Sequence, residues 1–405
     1  MGSGDVGSAV AHRLFMLGAN VILHDQPAPA HTRRGMSFTD SLFAGTGVLE
    51  GVLARHVRSI EAVQRAWSVV DEMLVCDLPL QVLTRELVLD ALVDARMRKR
   101  ATPEDHRSLA AIVVGLGPGF TVGENCTLAI ETAWGDELGH VVPAGATKAL
   151  AGEPRQLGGS GRERFVYAIA DGRWATRHGI GALVAAGEPV GELDSRPIYA
   201  PMPGTIRGLS HDGVRVTHGQ KILEIDPREG SNAFGLGERP RAIARGVSTA
   251  LDLDPAAGAL FFGFETGMER SLGCMPMSVR MKLDLCGLKV SLDQWRALPF
   301  SVRQTVLEAS CGNPAEVKRV RSYLEKTAAE AAVGPLPEIA CDPDEWRGLG
   351  QVVPQVAAAT RELGLALRIE SWASLSDLRR FALIKLSRQG HTRNLPSALV
   401  EFGLL

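Results

Sequence analysis

Two internal repeats of different length, one in each part of the chain, point to two architectures joined in series. Between residues 180 and 226, Val184, Gly187, Val190 and Leu193 recur as Val216, Gly219, Ile222 and Ile225 at an offset of 32. Apolar positions at short spacing around glycines predict β-structure built from two quasi-equivalent halves. A second repeat has an offset of 77: Val290, Leu292, Trp295, Leu298, Arg303, Val306, Leu307 and Ser310 recur as Leu367, Ile369, Trp372, Leu375, Arg380, Leu383, Ile384 and Ser387. Its Trp-x-x-Leu step, a turn and an arginine-bearing helix read as a helix–turn–helix hairpin. The tryptophans and leucines are core positions, and the repeated arginine is expected to bridge helices or cap a carbonyl. Between the two repeats, Ser248–Gly258 (STALDLDPAAG) reads as a linker.

The chain opens on Gly2-Ser3-Gly4-Asp5-Val6-Gly7, a G-x-G-x-x-G. Helical spacing follows over Val6–Leu17 with Gly18 as cap, then a short strand at Val21–Leu23 ended by Asp25. Loop, helix, strand and acid in that order fit a Rossmann-like unit. There Gly2, Gly4 and Gly7 let backbone approach a diphosphate, and Asp25 holds a ribose hydroxyl. Two features oppose a plain dinucleotide site. Only Met1 precedes the loop, so the strand that should feed it is missing, and the expectation is that translation starts upstream. Asp5 lies in the first helical turn, where a carboxylate repels a diphosphate unless a cation intervenes.

Further candidates for an anionic ligand are Arg33 and Arg34, whose guanidinium forks suit phosphate or oxyanions. A strand at Ala110–Val114 runs into Gly115-Leu116-Gly117-Pro118-Gly119, where backbone N–H groups at Gly115, Gly117 and Gly119 form a candidate anion nest. A solvated loop and a tight turn are the alternatives at these two places. Leu92–Met97 reads as a strand leading to Arg98-Lys99-Arg100, a charged edge.

Composition excludes several classes. With 45% hydrophobic and 22% charged residues and a net charge of −2, the chain is globular and lacks a nucleic-acid or anionic-membrane footprint. No apolar stretch is long enough for a bilayer helix, so neither nucleic acid nor membrane is an expected partner. A cytoplasmic location is expected. The six cysteines show no CxxC and no disulfide framework. Cys274, Cys286 and Cys311 are conceivable ligands, but their spacing favours free thiols, so no metal is expected. The sequence has no G-x-S-x-G elbow, H-E-x-x-H helix or P-loop, and no catalytic residue is assigned.

The 180–226 repeat, with Tyr199-Ala200-Pro201-Met202-Pro203-Gly204 between its halves, resembles the biotinyl/lipoyl-type barrel-sandwich domain. That family carries its prosthetic group on a lysine in the central turn. None lies between Glu192 and Lys221, so a docking or spacer role is expected. GSGDVGSAVAHRLF, RRGMSF, LEGV, LVDARM, GLGPGFTVGEN, IETAWGDELGHV, APMPGTIRGL and EIDPR together resemble the YqeB-type accessory proteins of selenium-dependent molybdenum hydroxylase systems, over roughly residues 1–247. FFGFET, SLGCMPMSVRMKLDLCGLKVSLDQW, CGNPAEV and LSDLRRFALIKLSRQGHTRNLPSALVEFG resemble the nitrate reductase associated protein family, over residues 260–405. The first resemblance implies a Rossmann-like fold and a role in equipping a molybdenum hydroxylase. The second implies a mainly helical protein assisting assimilatory nitrate reductase.

The expected organisation is α/β plus all-α. A Rossmann-like α/β domain spans 1–175, a biotinyl/lipoyl-like β barrel-sandwich 176–228, a helix and linker 229–258, and a helical domain 259–405. Three functions compete: an accessory or maturation factor for a molybdenum enzyme such as nitrate reductase, an NAD(P)-dependent oxidoreductase, and a non-catalytic scaffold. The first is favoured, with a molybdopterin-type or nucleotide ligand at the glycine loops.

Overall fold

The computed structural model describes the chain except residues 70–71, 99–100, 151–153 and 256–259. The chain divides into two compact units, Met1–Leu253 and Asp254–Leu405. The first is mixed α/β and the second mostly helical.

In the first unit the glycine loop runs into α1 (Asp5–Met16), followed by β1 (Ile22–His24), α2 (Ser41–Ala44), β2 (Thr46–Leu49) and β3 (Val52–Val57). Next come α3 (Ile60–Val69), β4 (Met73–Cys76), α4 (Leu80–Glu86), β5 (Ala91–Asp94), β6 (Ile112–Leu116), β7 (Leu128–Ile130) and β8 (Val141–Val142). Helix α1 ends as its sequence requires, with Gly18 at φ +97° just beyond it.

These strands form two four-stranded sheets, ordered β1-β4-β3-β2 and β5-β6-β7-β8. In each, three strands run parallel and the last is antiparallel. Met1 and Gly2 lie between the ends of β1 and β5. Gly2 N–H donates to the His24 carbonyl at 2.7 Å, Met1 N donates to Val93 at 2.6 Å, and Ala95 N–H donates back to Met1 at 2.9 Å. Two residues thus bond to both sheets. Strand β5 stops at Asp94 rather than Met97, which has φ +53°, and part of the Arg98–Arg100 run lies outside the described residues.

An all-β part follows: β9 (Phe165–Tyr167), β10 (Gly172–Ala175), β11 (Leu183–Val184), β12 (Pro189–Leu193), β13 (Arg196–Tyr199), β14 (Gly204–Leu209), β15 (Arg215–Val216) and β16 (Lys221–Asp226). They make two four-stranded antiparallel sheets, β13-β12-β10-β15 and β11-β14-β16-β9. The boundary expected at 175/176 cuts through this part, because β9 and β10 pair with β16, β12 and β15.

The 32-residue repeat is a structural one. Val184, Val190, Leu193, Val216, Ile222 and Ile225 are all buried in one core with Trp174 and Ile206. The turn glycines Gly187 and Gly219 have φ +76° and +77° and donate to the Ala200 and Ala168 carbonyls, themselves 32 residues apart. Likewise Gly181 N–H donates to Ile206 and Gly213 N–H to Trp174. The hydrogen-bond pattern therefore exchanges when one half is mapped on the other.

Helix α5 (Glu238–Ala250) returns to the α/β part: Ile243, Ala244 and Val247 share a core with Val6, Ala9, Val10 and Leu14 of α1. Gly246 is needed there, since a Cβ would lie 2.1 Å from the Gly139 carbonyl oxygen. The stretch expected to be a linker from Ser248 is thus helical to Ala250, and its end falls partly outside the described residues.

The second unit holds α6 (Met277–Leu285), α7 (Leu292–Ala297), α8 (Phe300–Glu308), α9 (Pro314–Glu330), α10 (Asp344–Arg347), α11 (Pro354–Glu362), α12 (Ile369–Ser374), α13 (Asp377–Leu386) and α14 (Leu395–Glu401). The 77-residue repeat maps α7–α8 onto α12–α13. Trp295 and Trp372 are fully buried, and their indole N–H groups donate to the Leu272 and Gly348 carbonyls at 2.7 and 3.0 Å. The repeated arginine caps carbonyls in both copies: Arg303 donates to Leu272 at 2.8 Å and Arg380 to Trp346 at 2.6 Å. No helix among the described residues is long and apolar enough to cross a membrane.

Candidate functional site

The glycine loop sits at the carboxyl edge of the parallel strands, where α/β sheets place their ligands. Gly7 is there for close approach, since a Cβ would fall 1.8 Å from the Gly2 carbonyl oxygen. Gly2 has φ +93° and lies against Ala95 and Arg96 at the end of β5. Gly4 is the N-cap of α1 with no side-chain cap, and faces the His31 ring. Within the first turn the Val6 N–H donates to the Asp5 carboxylate at 3.0 Å, so an anion at this helix start meets Asp5 as well as the helix dipole.

The acid of the motif is already engaged within the chain. Asp25 accepts from Ser3 N–H at 2.5 Å, Gln26 N–H at 2.8 Å and the His31 ring at 2.8 Å. Burial works against its ionisation, but His31 and the Ser3 N–H outweigh it and hold the carboxyl well below the usual range.

Asp5, which the sequence places awkwardly, has its cation. Arg33 donates to Asp5 at 2.8 Å and to both oxygens of Glu224 on β16, at 3.0 and 3.1 Å. Burial would raise Asp5, yet the Arg33 guanidinium keeps its pKa below the ordinary value. Arg34 points elsewhere: it binds the Asp40 carboxylate at 2.8 Å and the Leu209 carbonyl at 2.7 Å.

Glu224 is fully buried and draws four cations. Arg164 approaches at 2.6 Å, Lys221 at 2.8 Å, Arg33 at 3.0 Å and Arg207 at 3.6 Å. Asp226, also buried, pairs with Arg228 at 2.7 Å and Arg207 at 3.2 Å. The five cations Arg33, Arg164, Arg207, Lys221 and Arg228 thus face three carboxylates, Asp5, Glu224 and Asp226. Burial, with repulsion from Arg33, lowers the pKa of both Arg207 and Lys221 in spite of the Glu224 charge. Buried Nε atoms of Arg164 and Arg207 have no hydrogen-bond acceptor. Close by, Arg239 donates to the Thr132 carbonyl at 2.7 Å, and burial depresses it too, against the attraction of Asp5. A positive excess with unused donors is the chemistry of an anion site.

The second glycine cluster divides. Gly115 lies inside β6, where a Cβ would meet the Phe120 ring at 2.2 Å, so it serves packing rather than the turn. Gly117 and Gly119 have φ +88° and +93° and form the turn itself. Gly117 N–H donates to Ile130, and its carbonyl accepts from Thr147 Oγ1 at 2.5 Å. Gly117 meets the first loop's surroundings through Met97 and Thr132, whereas Gly119 lies against Pro103.

Sequence reasoning missed Glu224, Lys221, Arg207, Arg164 and Arg239. A signal existed for Glu224 and Asp226: two acids sit at buried positions of a strand beside Ile222, Leu223 and Ile225. Among the candidate thiol ligands, Cys286 is buried, Cys311 is half-buried and Cys274 is exposed. Among the described residues, Asp94, Glu104 and His106 gather within 4.8 Å, but Arg96 donates to both carboxylates and opposes a cation there.

Residues 261–402 match the family of conserved nitrate reductase-associated proteins. Over 257 residues, 62% of this chain, the sequence is 34% identical to the uncharacterized protein YqeB of Escherichia coli strain K12. The chain spans about half of that relative's length, 46%. No solved structure matches. The chain is thus a fusion of an N-terminal segment similar to YqeB and a C-terminal segment of the nitrate reductase-associated type.

Proposed function

We propose that this protein assists the assembly or activity of a molybdenum enzyme of the nitrate reductase kind, in the cytoplasm. The first unit would hold an anionic ligand and the second would engage the enzyme. The match of residues 261–402 to nitrate reductase-associated proteins carries the reading. We read the α/β part as Rossmann-like, with Met1–Gly2 at the central strand position, and residues 165–226 as a biotinyl/lipoyl-like barrel-sandwich.

The ligand class follows from charge. Gly2, Gly4 and Gly7 let an anion approach the start of α1, Arg33 neutralises Asp5, and Lys221, Arg207 and Arg239 supply the excess positive charge. A diphosphate of the molybdopterin or nucleotide class fits this donor set. Arg34, Gly115 and Gly119 would act by shaping the loops, given their placement. These residues would bind and orient the ligand.

An NAD(P)-dependent oxidoreductase is the second reading. It is disfavoured because Asp25, its ribose-binding acid, is engaged by Ser3, Gln26 and His31. A pure scaffold leaves the positive excess without a role.

Two measurements test the proposal. Calorimetric titration of the full-length protein with pyrophosphate should give saturable binding that Lys221→Gln weakens at least tenfold, whereas NAD should bind no better than pyrophosphate. In a deletion strain, nitrate reductase activity and its molybdenum content should fall and be restored by the wild-type gene but not by the Lys221→Gln gene. Unchanged activity and metal in the deletion strain would refute the accessory role.

A further inference from the structure

The edge that carries the glycine loop also carries an exposed aromatic side chain for which a bare anion has no use. Of the six tryptophans four are buried and Trp67 is half-buried, whereas Trp134 is 45% exposed. It follows β7, which runs parallel to β6 and β5, so it lies past the carboxyl end of its strand as Gly117 and Ala95 lie past theirs. The ends of β6 and β7 meet closely, because a Cβ on Gly117 would fall 2.8 Å from Thr132 Oγ1. Ligands of α/β sheets sit at this edge.

The backbone leading to Trp134 is held firmly. The buried Glu131 carboxylate accepts from the Thr132, Ala133 and Lys148 N–H groups at 2.6, 2.7 and 2.8 Å. The Arg155 guanidinium lies over the indole, 4.5 Å from the ring centroid. Arg155 pairs with Glu238 at 2.9 Å, and its carbonyl accepts from Arg164 at 3.3 Å. Arg164 is the buried cation that reaches Glu224 at 2.6 Å. Trp134 is therefore joined to the cation cluster through two arginines, with a direct contact at each step.

Resting on the anion-binding proposal above, we infer that Trp134 and Arg155 form a stacking platform for a fused-ring nitrogen heterocycle joined to the diphosphate, a ring of the guanine or pterin type. Arg155 covers one indole face, and the ligand's ring stacks on the other, since flat heterocycles and tryptophan offer each other large π-surfaces. The Arg155–Glu238 pair is exposed at both ends, 54% and 74%, so it steadies the guanidinium without burying the platform.

Charge sets the direction of the ligand. Asp136 and Glu137, just beyond Trp134, are both exposed, and negative charge there turns phosphates back toward Arg33, Lys221 and Arg207. Carboxylates accept hydrogen bonds only, so they suit a ring edge that offers amino and N–H donors, as guanine and pterin do. A diphosphate substituted at both ends would have to lay its second half over Asp25, which Ser3, Gln26 and His31 already engage. The platform thus takes a ligand substituted at one end.

The test uses the full chain, with binding followed by calorimetry and tryptophan emission recorded in parallel titrations. Pyrophosphate, guanosine diphosphate and hydroxymethylpterin diphosphate are the probes. One or both of the ring-bearing probes should bind about tenfold more tightly than pyrophosphate and quench the emission, and the tighter of the two names the source of the ring. On the Trp134→Leu protein their affinity should fall to that of pyrophosphate for the same protein. Trp134→Phe, which keeps a ring, should retain the gain and lose the emission change. If pyrophosphate binds and neither ring adds affinity, the platform is refuted and the anion site stands. A gain that survives Trp134→Leu places the ring elsewhere and also refutes the platform. Failure of all three probes to bind would refute the anion site, and the platform with it. The wild-type comparison holds even where a variant fails to fold.

Discussion

Arg33 donates to Asp5 at 2.8 Å while its other nitrogens grip Glu224, so one guanidinium joins the first turn of α1 to β16, the last strand of the all-β part. Local sequence explains neither end of that bridge. Asp5 at a diphosphate-type helix start is unfavourable, and Glu224 is an acid in a buried strand. Together with Arg33 each becomes tolerable, and the cations left over are the basis of the anion-binding proposal.

Removing that bridge should be costly. Arg33→Met strips Asp5 of its partner and Glu224 of one of four. Breaking a buried pair costs about 3–5 kcal/mol, and the low end is expected because Arg164 and Lys221 remain on Glu224. The unfolding of the first unit, followed by calorimetry, should move down accordingly. Arg34→Met, which loses a pair with the exposed Asp40, should cost less.

His12 predicts a pH window. It is buried on α1, and burial lowers its pKa from 6.5 to about 4. The unfolded chain therefore takes up a proton at this residue below pH 6.5 that the folded chain refuses until about 4. Stability should fall by about 3 kcal/mol across that window, at 1.36 kcal/mol per pKa unit. His12→Asn should flatten the slope of urea stability against pH by up to one proton between those values. The depressed carboxylates Glu224 and Asp25 act in a different window. Their contribution is present above the ordinary carboxylate range and is lost as pH falls through their lowered values.

The turn glycines of the 32-residue repeat should behave as a matched pair. Gly187 and Gly219 share a left-handed backbone with open space around them. Alanine at either should cost about 1–2 kcal/mol, and asparagine less. Gly7→Ala belongs to another class. Its methyl would strike the Gly2 carbonyl, so pyrophosphate binding should be lost and Gly2–Ser3 displaced. Parallel denaturation and titration series separate the two kinds.

The repeated arginines should differ in magnitude. Arg380 is 4% exposed and serves the Trp346, Trp372 and Leu375 carbonyls together with Asp377. Arg380→Met leaves the Trp346 and Leu375 carbonyls without this donor, at about 1–3 kcal/mol each, while Trp372 keeps the Leu375 N–H. Arg303, less buried and serving the Ser271 and Leu272 carbonyls, should cost less when changed to Met. Guanidinium chloride titration of both variants checks the order.

What the sequence by itself determined was local and periodic. The 32- and 77-residue repeats predict paired β-halves and paired helical hairpins, because burial recurs wherever the same apolar spacing recurs. Gly18 announces the end of α1, since a left-handed turn there wants a residue without Cβ. The order of loop, helix, strand and acid placed Gly2, Gly4, Gly7 and Asp25 at one end of the sheet. Only the tertiary structure decided which charges meet. It put Gly115 in a strand, turned Arg34 to Asp40, tied Asp25 to Ser3 and His31, and brought Arg33 across to Glu224, 191 residues away. It also paired β9 and β10 with the strands of the repeat, ahead of the boundary that the repeat suggests. The reason is physical. Spacing encodes which face of an element is buried, but a buried ion needs partners from whichever strands and loops the packing brings alongside, and no short-range pattern records them.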